Sequence, residues 1–424
     1  MTGAGVAGEG MTGDIAPHRM GEPSPLIFHL SVALSAYGQA LMMAPRADSP
    51  SFPWTPGLAP ERGALAGLDQ TEIAAEIAAR LRATLTGIAV WQAHPYRRTL
   101  GEAPAIWADG CTRLRDFGAL PEAARPDGPP ILVVPSLINR PYILDLVRGR
   151  SLLRWLAGQG FRPLLVDWGE PGPGEAGFDL DSYGARRLVP ALAAAREIAG
   201  GPVPVIGYCM GGTLSVGLAA RVPEDVAALV AIGAPWDFSA NVGIAGAMRS
   251  LFRSRGAQRA ELLLESMGEA FGLVPVTFLQ TLFALVNPMQ AAMKFQKLAR
   301  LDPAGPAAEL FVALEDWLAD GVPMPAAAAR DLLVGWQIRN LTAADSWCFL
   351  GERVVPSAIR VPALVVCGES DSIAPPSLAR PLAAVLPQAA VRVARTGHVG
   401  MIVGSEARAA VWRPLADFLW NHCS

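Results

Sequence analysis

Six short runs of aliphatic and β-branched residues constrain the fold of this chain more than any other feature. They are ILVVP (131–135), PLLVD (163–167), VPVIG (203–207), AALVAIG (227–233), PALVVCG (362–368) and VRVAR (391–395). Each has the length of a buried strand, and helical stretches lie between them. Strands that alternate with helices predict a mostly parallel sheet covered on both faces, an α/β class fold. The alternation stops near 236 and resumes at 362. The stretch 237–350, rich in Leu, Phe and Met, reads as a mostly helical cap inserted over one end of the sheet. A final helix is expected over 405–421.

The same reading divides the rest of the chain. Residues 1–24 read as a flexible leader and 25–125 as a helical N-terminal region. The segment 126–236 forms the first part of the sheet domain and 351–424 the second. Within 71–91, Ile73, Ile77, Leu81 and Leu85 recur at four-residue spacing, which predicts a helix. Pro-rich links stand at 50–62 and 124–130.

Composition narrows the function. Apolar residues make up 51% of the 424 and charged residues 17%, enough for a large core. A net charge of −3 with no basic block gives nucleic-acid binding no electrostatic support. The five cysteines are widely spaced and odd in number, so neither a disulfide framework nor a metal site is expected. The beginning of the chain lacks a basic stretch leading into an apolar run, and a reducing cytoplasm is the expected compartment. Residues 26–44 and 271–289 are apolar but interrupted by polar residues or proline. They are read as helices buried in the fold or lying on an apolar surface, with no membrane span.

The run VPVIG leads into Gly207-Tyr208-Cys209-Met210-Gly211-Gly212, followed by a helical stretch. A nucleophile flanked by glycines two residues away on each side sits on a tight strand-to-helix turn, where neighbouring backbone leaves no room for a Cβ. The helix N-terminus favours a thiolate there. With 43 glycines and five cysteines, chance predicts roughly 0.05 such patterns. A thiol also needs a base. Of the five histidines, His18, His29 and His94 fall in the N-terminal regions and His422 near the end. His398, in Thr396-Gly397-His398-Val399-Gly400, follows the last strand. Asp371, on the loop after PALVVCG, is placed to orient it, with Glu369 and Asp237 as competitors. An oxyanion would take the N–H of Met210 and that of Ile138 or Asn139 on the loop after ILVVP. Arg140 either faces substrate phosphates or pairs with an internal acid. Tyr208, beside the nucleophile, is a further candidate substrate contact.

Six segments together resemble the polyhydroxyalkanoate synthase family: VVPSLINRPYILDL (133–146), VDWGEPG (166–172), GYCMGG (207–212), LEDWLADGVPMP (314–325), CGESDSIAP (367–375) and GHVG (397–400). The resemblance implies an α/β-hydrolase fold with a Cys–His–Asp triad. It places the nucleophile at Cys209, the acid at Asp371 and the base at His398. It further implies an (R)-3-hydroxyacyl-CoA substrate, a growing polyester at a granule surface and no cofactor. A homodimer or a synthase partner subunit is also implied. NRPYILDL and DWGEP look most like the shorter, partner-requiring members. The family usually has His directly after the triad Asp, and this chain has Ser372.

A thiol attacking an acyl-CoA exchanges one thioester for another and keeps the acyl group activated towards a hydroxyl. The expected activity is therefore polyester synthesis with release of CoA. Two alternatives share the fold: a cysteine-nucleophile thioesterase or depolymerase, and a catalytically weak granule-associated paralogue.

Overall fold

A computed structural model describes residues 25–422, apart from positions 48, 50, 53, 55, 56, 58, 62, 64–66, 68, 241 and 253–255. The expected leader 1–24, His18 and Cys423 lie outside the described residues. Two long helices come first, α1 (Leu26–Met43) and α2 (Gln70–Ala93). The Asp69–Glu72 capping box starts α2, satisfying two backbone donors that the first turn cannot. Tyr37 Oη and Thr84 Oγ1 lie 2.9 and 3.1 Å from Gln296 Nε2, which ties both helices to the cap.

Eight strands form the central sheet: β1 (Ala105–Asp109), β2 (Thr112–Asp116), β3 (Pro130–Val134), β4 (Arg162–Asp167), β5 (Val203–Tyr208), β6 (Val226–Ile232), β7 (Ala363–Gly368) and β8 (Ala389–Ala394). Their order is β1-β2-β4-β3-β5-β6-β7-β8. From β4 to β8 every pairing is parallel, and all six predicted runs are strands in it. Helices cover both faces, so β5 and β7 are buried at every residue. Strand β8 is the edge, and Val391 and Val393 stay exposed.

The N-terminal region is not wholly helical as expected. Residues 105–116 form an antiparallel hairpin that extends the sheet through β2 and β4. Its strands meet at Gly110-Cys111, with Gly110 at φ +55. Thr112, Leu114 and Asp116 are buried, while Arg113 and Arg115 are only partly so. Buried Asp116 is paired with Arg162 at 2.6 Å, which fixes β2 on β4.

Helix α3 (Met210–Arg221) follows β5, and after β6 the chain enters the cap. The cap contains α4 (Gly243–Phe252), α5 (Gly256–Phe271), α6 (Val276–Val286), α7 (Gln290–Leu298) and α8 (Pro306–Ala319). Asn340 joins the two ends of this insertion. Its Oδ1 accepts from Phe238 N–H and its Nδ2 donates to Asp237 Oδ1, both at 2.8 Å. The last helix, α9 (Arg413–Trp420), packs Leu415 and Leu419 inward.

Helix α1 departs from the buried reading. Only Ala33 and Tyr37 are buried along it, and Ile27, Leu34 and Met42 are exposed. By length and composition alone, 26–46 is long and apolar enough to cross a membrane.

The turn after β5 sets a sharp stability test. A Cβ on Gly211 would fall against the carbonyl oxygens of Val134 and Pro135, which are backbone and cannot swing away. Gly211→Ala is expected to lose about 1–3 kcal/mol, the usual cost of overpacking. Gly174→Ala, where a Cβ meets open space, should leave the denaturant midpoint in place. Equal midpoints for the two variants would contradict the packing described.

Candidate active site

Cys209 occupies the bend between β5 and α3 with φ 56 and ψ −129, a conformation that ordinary residues avoid. Its N–H donates to Ile232 O and its carbonyl accepts from Gly212 N–H, both at 2.9 Å. A Cβ on Gly207 would collide with the backbone of Gly211 and Gly212. These close approaches explain the glycines on either side of the sulfur.

The loops after β7 and β8 bring two more residues to the same edge of the sheet. His398 Nδ1 lies 2.7 Å from Asp371 Oδ2. Asp371 Oδ1 accepts from the N–H groups of Ile373 and Ala374 at 2.8 Å, so the carboxylate is held in place from behind. The imidazole and Cys209 line the same cavity side by side. Burial opposes the charged form of the imidazole. The Cys209 sulfur and the Asp371 carboxylate outweigh burial, and the imidazole is pushed up to about 10 from an ordinary 6.5. The imidazole is thereby favoured in its protonated form beside the thiol.

Surrounding residues hold the imidazole plane. The Tyr208 ring lies 5.1 Å from it, and Tyr208 Oη donates to His398 O at 3.4 Å. Gly233, at φ +55, passes so close that a Cβ would meet the imidazole at 3.0 Å. Of the competing acids, Glu369 is exposed. Asp237 is spent on Ser239 N–H and Asn340 at the cap hinge.

Met210 begins α3 beside the sulfur. Ile138 gives its N–H to Ser136 Oγ at 3.2 Å, which leaves Asn139 as the loop candidate for an oxyanion donor. The loop is clamped from the cap: Val322 N–H donates to Ile138 O, and Trp317 Nε1 to Arg140 O. Arg140 ion-pairs with Glu170 at 2.9 Å and Asp320 at 3.3 Å, so its charge is directed at acids of this chain.

Cys209 and His398 open into a cavity of about 530 Å³ between sheet and cap. Phe283, Phe311, Leu314, Trp317 and Leu318 give the cavity apolar lining. Ser372 lies on the cavity surface, as do Tyr208 and Arg140. Sequence reasoning passed over His29 because it sits on an N-terminal helix, yet α1 carries it to the cavity wall. It also passed over the cap residues, whose three-and-four spacing on α6 (Gln280, Phe283, Ala284, Asn287) was the available signal. Among the described residues no group of three or more His, Cys, Asp or Glu could hold a metal ion.

Comparison with known proteins agrees with this architecture. The family model for the alpha/beta hydrolase fold matches residues 129–405. The chain belongs to that family. As an α/β hydrolase it carries its nucleophile, acid and base candidates on the loops after β5, β7 and β8. Three curated relatives are each named "Poly(3-hydroxyalkanoate) polymerase subunit PhaC". The protein of Haloferax mediterranei is 32% identical over 68% of this chain and 58% of its own length. That of Haloarcula marismortui is 31% identical over 68% and 60%. That of a Synechocystis strain is 28% identical over 68% and 77%. The chain thus spans about three-fifths of the first two.

The Cys209–His398 pair predicts a pH-dependent reactivity. At pH 7 His398→Gln should slow iodoacetamide alkylation of Cys209, followed by peptide mass spectrometry, by about tenfold or more, since an unassisted thiol is only a few per cent ionised. The parent's advantage should shrink as pH rises past about 8.5, where the variant's unassisted thiol ionises without help. Equal rates at pH 7 would rule out the pair.

Proposed function

We propose that this protein polymerises (R)-3-hydroxyacyl-CoA into polyhydroxyalkanoate with release of CoA, through an acyl-enzyme on Cys209. The observation that carries the reading is a thiol, not a hydroxyl, at the elbow of an α/β hydrolase, next to a partly buried imidazole held by Asp371. The names of the curated relatives support the same activity.

In the first step the Cys209 thiolate attacks the thioester carbonyl, and the N–H groups of Met210 and Asn139 stabilise the oxyanion. The CoA sulfur then leaves, taking the proton that His398 carries. In the second, a 3-hydroxyl loses its proton to His398 and attacks the acyl-enzyme. An ester bond forms and the Cys209 sulfur leaves as the thiolate. Each cycle joins one unit and frees one CoA. Asp371 keeps the imidazole in register and stabilises its charged form. The aromatic cap wall excludes water, which would otherwise divert the acyl group to free acid.

The same reading puts the protein at the surface of its polyester in the cytoplasm. The apolar residues Ile27, Leu34 and Met42 on the outside of α1 suit such a surface. Assembly with a second copy or a partner subunit belongs to the same proposal.

Purified protein given 3-hydroxybutyryl-CoA should release CoA and accumulate ethanol-insoluble polyester, with and without candidate partner subunits. Cys209→Ala should lower CoA release to the uncatalysed rate. Stoichiometric free acid without polymer would contradict the polymerase reading, and undiminished turnover by Cys209→Ala would contradict any covalent route.

A further inference from the structure

The cavity is also lined by polar cap residues that the chemistry above does not use. Three cap helices each turn one face towards it: Gln280 and Asn287 from α6 and its end, Gln290 and Lys294 from α7, and Glu315 from α8. Gln290 and Lys294 are one turn apart, so they share a face. Glu315 is buried and lies 2.6 Å from Lys294 Nζ. Lys294 therefore keeps two of its three donors for other acceptors. Gln280 is 9% exposed and donates Nε2 to Leu318 O, while its buried Oε1 has no partner among the described residues. A buried acceptor without a partner at a cavity wall suits a donor that arrives with a ligand.

The geometry points to a subsite for the uncharged, amide-bearing arm of the acyl donor along this strip, an inference that rests on the acyl transfer proposed above. Charge decides between that arm and a nucleotide phosphate. Among the described residues, Arg140 and Lys294 are the arginine and lysine that line the cavity, and both are matched by carboxylates at 3.3 Å or less. A diphosphate would find no unmatched Lys or Arg cation there among the described residues. A chain with amide N–H and C=O groups finds what it needs: acceptors at Gln280 and Glu315, donors at Lys294, and both at Asn287 and Gln290. The apolar side chains interleaved with them are left for the acyl group.

The test compares two thioesters of 3-hydroxybutyrate, one on pantetheine and one on N-acetylcysteamine, which lacks most of the arm. The variant is Lys294→Met/Glu315→Leu. Removing both partners avoids leaving one buried charge alone. Its fold is checked by circular dichroism melting. Acylation of Cys209 is followed as thiol release in a single turnover. The parent should prefer the pantetheine thioester by about tenfold or more in kcat/KM, and the variant should lose most of that preference through a higher KM. Gln280→Leu should shift the ratio in the same direction. A ratio unchanged in an active variant, whether both substrates hold or fall together, overturns the subsite alone. A parent that transfers acyl groups from neither thioester overturns the proposed function and the subsite with it.

Discussion

Everything at this site depends on one strained turn. Cys209 is held at a positive φ that an ordinary residue adopts at a cost of about 1–3 kcal/mol. The surrounding sheet makes that conformation the available one. Strand β5 lies between β3 and β6, the Cys209 N–H is bound to Ile232 O, and the glycines let α3 press onto the strand ends. Strain of this kind aims the sulfur out of the sheet edge and sets the first N–H groups of α3 beside it.

The imidazole is fixed with similar redundancy. Asp371 is braced by two backbone N–H groups, the Tyr208 ring lies beside His398, and Gly233 lets the ring sit where a Cβ would crowd it. The cap meets this centre at few points. Asn340 pins its two ends, and Trp317 and Val322 hold the loop after β3. The catalytic groups thus stand on the sheet while the cap shapes the cavity. Substrate choice and water exclusion can then change without moving the triad candidates.

Much of this was legible in the residues themselves. Buried parallel strands need continuous apolar runs, so β3 to β7 announce themselves, and the G-x-C-x-G turn marks where the chemistry sits. The hairpin 105–116 was harder to see. Its second strand alternates Thr, Leu and Asp inward with Arg outward, so it lacks an apolar run, and Asp109-Gly110 was the turn signal that could have revealed it. The role of Arg140 was ambiguous because its partners Glu170 and Asp320 lie 30 and 180 residues away. His29 and the polar cap strip escaped for the same reason, since the cavity is assembled from helices distant in the chain. The exposure of α1 reflects the lack of a described partner for its outer face, which hydropathy cannot report.

The most direct measurement is the location of the acyl group during turnover. Protein mixed with 3-hydroxybutyryl-CoA, quenched in acid within one turnover and digested, should carry the hydroxybutyryl mass on the peptide containing Cys209, and hydroxylamine should remove it as expected of a thioester. Acylation at another residue, or release of CoA with Cys209 never modified at any quench time, would contradict the account.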